Sequence, residues 1–164
     1  MKILLTIFIL IAAFNLQPLC ADDKADLVGV WRYVGETDTR ANGSPAPLQS
    51  HSDSEGLLIY TADGFMSVTI MPKNRKWSSD TATIDELRET IANGTAYAGR
   101  YEVDTAAHTV THMNSVNLEP GYSDAPLVRS YSLHDDTLQL SGSFFFQGSN
   151  IKFVITWQRV RSAN

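Results

Sequence analysis

The chain of 164 residues contains one cysteine, Cys20, so no disulfide can form within a monomer. It is also short of positive charge. Thirteen Lys and Arg stand against 18 Asp and Glu, a formal net charge of -5. That balance excludes the clustered cationic surface that nucleic acid or an anionic membrane requires. The acidic residues are scattered, which reads as a solvated surface and not as an acidic tail. The longest apolar stretch, Ile3 to Phe14, falls short of the roughly 20 residues of a membrane-spanning helix. The chain has no Gly-x-Ser-x-Gly elbow, phosphate-cradling glycine loop or dinucleotide fingerprint. Its four histidines show no spacing that resembles a zinc site. No cofactor or metal is therefore implied.

What is present begins with a leader. Lys2 supplies a positive start, Ile3 to Phe14 an apolar core, and Leu19-Cys20-Ala21 a site with a small residue before Asp22-Asp23. Residues 1–21 read as a signal peptide, and residues 22–164 as one exported domain, periplasmic or secreted. A lipid-attached cysteine normally follows a small residue, whereas Leu19 precedes Cys20, so cleavage after Ala21 is the expectation. Removing Lys2 with the leader takes the net charge from -5 to -6.

Eight runs of apolar, aromatic and β-branched residues recur with turn signals between them, the pattern of an all-β sandwich or barrel. They are Leu27 to Val34, Gly56 to Thr61, Phe65 to Met71, Ala96 to Asp104, Thr109 to Val116, Leu127 to Leu133, Thr137 to Ser141 and Ile151 to Val160. The first and last each carry a tryptophan, as a sheet closed on itself would place at its seam. Between the third and fourth runs, Thr83-Ile84-Asp85-Glu86 is a capping box, Ile84, Leu87 and Ile91 share one helical face, and Asn93-Gly94 supplies the stop. The expected fold is an eight-stranded antiparallel up-and-down barrel with one amphipathic helix that buries its stripe on the barrel and could plug an end. Two longer connections, Gly35 to Glu55 and Asn117 to Pro126, are candidate rim loops, the first a candidate lid. Asn42-Gly43-Ser44 and Asn93-Gly94-Thr95 are glycosylation sequons that matter only in a eukaryotic host.

Gly29-x-Trp31 and Trp157-x-Arg159 resemble the lipocalin signature. The likeness is closer to the bacterial and fungal lipocalin-like domain family, through Leu27-Val28-Gly29-Val30-Trp31, Gly56 to Gly64, Tyr97 to Val103, Arg129-Ser130-Tyr131 and Trp157-Gln158-Arg159. The resemblance implies a barrel with a ligand cavity, closed at its base by Trp31, Trp157 and Arg159. Where that branch usually carries a histidine pair, this chain reads Thr111-His112-Met113, so no role resting on paired histidines transfers.

Strand parity assigns candidate cavity walls. Ile151, Phe153, Ile155 and Trp157 share a face, as do Leu127, Arg129, Tyr131 and Leu133, and Leu138 with Leu140. A buried arginine requires an anion. For Arg129 that is either an internal pair with Glu102 or a carboxylate on a ligand. Tyr60 and Tyr97 combine an apolar body with a hydroxyl and suit a pocket wall. His112, facing inward, is either a satisfied wall residue or an acid–base group acting with Glu102 or Tyr131. Phe144-Phe145-Phe146 cannot all face the interior of one strand, so at least one is expected at the surface or mouth.

Three functions follow as expectations. The first is a binding protein for a small, mostly apolar molecule, with Arg129, Tyr131, Tyr60, Tyr97, His112 and Phe153 at its site, acting by sequestration or delivery. The second is a cofactor-independent isomerase, cyclase or hydratase using His112, Glu102 and Tyr131 as acid and base. The third is a structural module whose barrel is filled by its own side chains. The expected partner in the first two is a small apolar or amphipathic molecule, not nucleic acid and not a bilayer.

Overall fold

In the computed structural model, residues 23–46, 53–120 and 125–161 are described; the leader and parts of both long connections lie outside them. A short helix α1 (Asp23–Leu27) leads into β1 (Gly29–Arg40), β2 (Ser54–Tyr60) and β3 (Phe65–Pro72). Helix α2 (Ile84–Ala92) follows, then β4 (Thr95–Asp104), β5 (Thr109–Asn117), β6 (Leu127–His134), β7 (Thr137–Phe146) and β8 (Ser149–Arg159). The eight strands form a closed antiparallel barrel in sequential order, and β8 pairs back onto β1. No helix among the described residues is long and apolar enough to cross a membrane.

Closure at the base follows from the tryptophans at the seam. Trp31 is fully buried and donates from Nε1 to the Leu27 carbonyl at 2.9 Å, which ties α1 across the barrel end. The Arg159 guanidinium lies over its ring at 4.0 Å and donates to the carbonyls of Val28, at 2.9 Å, and Asp26. Asp136, from the β6–β7 turn, pairs with Arg159 at 3.5 Å. Cation, aromatic face and carbonyls form a plug in which the Trp31 indole N–H and the Arg159 guanidinium are satisfied, while the buried Nε1 of Trp157 has no partner among the described residues.

The capping box forms as the spacing predicts, with Thr83 accepting from the Glu86 amide and the Glu86 carboxylate accepting from the Thr83 and Ser78 amides at 2.7 Å. Those two amides hold the Glu86 carboxyl down at about 2. The stripe of α2 departs from expectation. Ile84, Leu87 and Ile91 are exposed, and the helix has no buried residue. Its nine residues stand at the rim, held where Gly94 approaches the Met71 side chain, and only Ala92 and Asn93 at its end reach the cavity. The helix does not plug the barrel.

The strand boundaries differ most in β1 and around the β7–β8 turn. A bulge between Tyr33 and Gly35 lets β1 continue to Arg40 against β8, so the first six residues of the expected lid are strand. Past the bulge the face changes, and Glu36 comes onto the cavity wall opposite Ile155. Strands β7 and β8 meet in a tight turn, which brings the phenylalanine triplet into β7: Phe144 pairs with Ile151 on the wall, Phe145 points outward and is exposed, and Phe146 is exposed at the rim of the cavity.

Candidate functional site

The barrel is not filled. A cavity of about 680 Å³ runs from a floor at Leu58, His112 and Trp157 to a rim that includes Asn93, Glu119 and Phe146. Its side walls are largely aliphatic, with Val68, Ile70, Leu140 and Ile155, and its size is that of a small-molecule site. The open end is therefore the one that carries α2 and the β7–β8 turn. Trp31 and Arg159 close the other. Trp157 serves both regions: it meets Tyr33 edge-on at 5.6 Å and also forms part of the floor.

His112 is the polar centre. It is 1% exposed, inward on β5, with Tyr60 Oη 2.6 Å from Nε2 and Tyr97 Oη 3.1 Å from Nδ1. Burial, with a contribution from the charge of Arg129, pushes its pKa down to about 3, so the ring is neutral at physiological pH. Burial likewise raises the Tyr60 phenol well above its ordinary range. All three groups are uncharged hydrogen-bonding partners, an arrangement that an apolar interior tolerates.

The depressed histidine pKa has a consequence for stability. Between about pH 3 and 6.5 the unfolded state takes up a proton at this residue that the folded state refuses, so its contribution to stability falls as the solution is acidified. The slope reaches at most about 1.4 kcal/mol per pH unit. Urea unfolding at a series of pH values is expected to show His112→Gln losing stability less steeply than the parent protein over this window. Parallel curves would contradict the neutral, buried assignment.

Arg129, on β6, reaches the cavity by a different device. Its side chain passes Gly142 of β7, where an added Cβ would lie 3.5 Å from Arg129 Cδ, and Gly142 in turn faces Phe153 on β8. With no side chain between them, the guanidinium stacks on the Phe153 ring at 4.9 Å; a Cβ on Gly142 would lie 2.8 Å from that ring. Arg129 and Phe153 both line the cavity.

Of the residues expected at the site, Arg129, Tyr97, His112 and Phe153 line the cavity together. Tyr60 lies behind His112 as its buried partner. Tyr131 does not reach the lining; it packs lower, edge-on to His108 of the β4–β5 turn at 5.8 Å. Glu102 is exposed on the outer face of β4, so it pairs neither with Arg129 nor with His112. Alternation explains it: Tyr101 points inward, and its neighbour must point out. Glu36 and Phe144 are cavity residues that strand parity misses, because one follows a bulge and the other lies beyond the expected end of β7.

The model of the lipocalin-like domain matches residues 28–160. The chain belongs to the lipocalin-like domain family. A search of curated proteins finds no match to it. The lipocalin-like barrel fold suggests small-molecule binding.

Proposed function

We propose that this lipocalin-like protein is exported and binds a small, mostly apolar molecule in its barrel cavity, which it sequesters or delivers. The observation that carries the proposal is the cavity itself, about 680 Å³ of open space with aliphatic walls over a neutral histidine–tyrosine floor. An interior filled by its own side chains would leave no such volume. Acid–base catalysis has less support: Glu102 lies outside the barrel, and a histidine with a pKa near 3 is a poor proton acceptor at neutral pH. Export rests on the residues of the leader.

The test is titration with N-phenyl-1-naphthylamine, a neutral apolar fluorophore. It is expected to bind saturably at one site per barrel, and Ile155→Trp, which pushes an indole into the cavity, is expected to weaken binding by about tenfold, roughly 1.4 kcal/mol. Unchanged binding in a folded Ile155→Trp variant would place the probe elsewhere and defeat the proposal.

A further inference from the structure

A second concavity lies outside the barrel. It holds about 560 Å³ and is enclosed by the end of β2, the connection of residues 73–77 that follows β3, and one face of α2. Asn93, at the lip, also lines the barrel cavity; the two share no other lining residue. On α2 the contributing residues Glu86, Glu89, Thr90 and Asn93 recur at helical spacing, on the side opposite Ile84, Leu87 and Ile91. The helix therefore turns its polar face to this groove, which leaves the apolar stripe outside.

Trp77 lines the groove and is 55% exposed, whereas Trp31 and Trp157 are buried. The backbone beneath it is pinned on both sides. Arg75 Nε donates to the Pro72 carbonyl at 3.1 Å before it, and the Ser78 amide donates to the Glu86 carboxylate at 2.7 Å after it. Part of the ordering cost of stacking a ligand on the indole is thus met in the free protein. Four charged side chains surround the ring without an ion pair among the described residues: Arg75 and Lys76 on the connection, Glu55 on β2 and Glu89 on α2. The Glu86 carboxylate is taken by the Ser78 and Thr83 amides. Two cations and two carboxylates balance, so a ligand of either sign meets a like charge. An apolar molecule finds little beyond Trp77 and Pro72. What matches is an uncharged molecule with one apolar face and many groups that both donate and accept, as hydroxyls do.

We infer that this groove is a saccharide-binding site, in which a sugar ring lays its C–H face on Trp77 and divides its hydroxyls between the carboxylates of Glu55 and Glu89 and the cations of Arg75 and Lys76. A zwitterion fits less well, because it has one cationic pole while the acceptors stand on two walls, β2 and α2. The site acts independently of whatever occupies the barrel.

The experiment is a printed glycan array probed with the fluorescently labelled protein at pH 7.5, followed by calorimetric titration with the best-retained oligosaccharide. Retention of a subset of the glycans is expected. Trp77→Ala is expected to weaken that binding by about tenfold or more, as loss of a central aromatic anchor does. Trp77→Phe, which keeps a flat aromatic face, is expected to stay within about threefold of the parent. Glu89→Gln, which exchanges a charge-assisted acceptor for a neutral one, is expected to lose about threefold to tenfold. Both positions are exposed, so thermal melts at the parental temperature are expected and show that each variant is folded. An array with no glycan above the blank would overturn the inference, as would binding of phosphocholine in place of any glycan. Full affinity in Trp77→Ala would overturn it by placing the sugar elsewhere on the protein. Displacement of N-phenyl-1-naphthylamine by the retained glycan would also overturn it, by placing the sugar in the barrel.

Discussion

Replacing Trp31 by alanine is expected to destabilise the barrel by about 3–5 kcal/mol, the range for removing a fully buried large aromatic. The site explains why the upper part of that range is the expectation. Trp31 is at 0% exposure, its Nε1 ties α1 to β1, and its ring is the face on which Arg159 rests. Losing the indole leaves a cavity at the base and strips the guanidinium of its stacking partner, while the Leu27 carbonyl loses its side-chain donor. Because the β1–β8 seam closes the sheet, the effect should appear as loss of cooperativity of the whole domain. Urea unfolding followed by far-ultraviolet circular dichroism measures it. A change below about 1 kcal/mol would mean that the base does not hold the seam.

Gly99→Val is expected to be the most damaging substitution near the site. In β5 an extra residue between Asn114 and Val116 makes a bulge opposite Gly99, and the strands approach so closely that a Cβ at Gly99 would lie 2.0 Å from the Met113 carbonyl oxygen. Backbone atoms cannot yield as the tip of a flexible side chain can, so β4 and β5 must separate. A cost of at least about 3 kcal/mol is expected, at the upper end for overpacking. The same strands carry Tyr97 and Tyr101 on one side and His112 on the other. Any variant that folds should therefore also lose the Tyr97–His112 contact and bind the naphthylamine probe more weakly. Thermal melts and probe titration on one preparation check both; a Gly99→Val protein with parental stability would contradict the close approach.

The strands and helix were legible because their sequences carry local signals that agree with the global arrangement. Thr83 and Glu86 state the helix start in four residues, and Gly29-x-Trp31 with Trp157-x-Arg159 states the closure at both ends of the domain. Inward placement of Arg129 and Phe153 followed from period-two alternation within β6 and β8. The misreadings lie where that period fails. The β1 segment from Gly35 to Arg40 is polar and reads as loop, yet it is paired along its length with β8, and the bulge at Val34 turns Glu36 inward. No count along the sequence locates such a bulge, because one added residue reverses every face beyond it.

Parity also assigns a face without assigning a height along the barrel. Tyr131 shares its face with Arg129, but the direction of β6 carries it toward the closed base, where it meets His108 and not the cavity. The exposed stripe of α2 illustrates a different limit. Apolar spacing says that Ile84, Leu87 and Ile91 lie together, while burial depends on whether the barrel offers a surface, and here the end beside the helix opens into the cavity. Lid residues 47–52 and rim residues 121–124 lie outside the described residues.

The central claim is that the cavity holds a small molecule, and native mass spectrometry of the protein purified from its own host tests it most directly. Comparison with the denatured mass is expected to reveal a copurified species of a few hundred daltons, the size that a cavity of about 680 Å³ accommodates, released on unfolding and diminished in Ile155→Trp. A native mass equal to the denatured mass, together with no uptake of the naphthylamine probe, would contradict the account and return the barrel to a structural role.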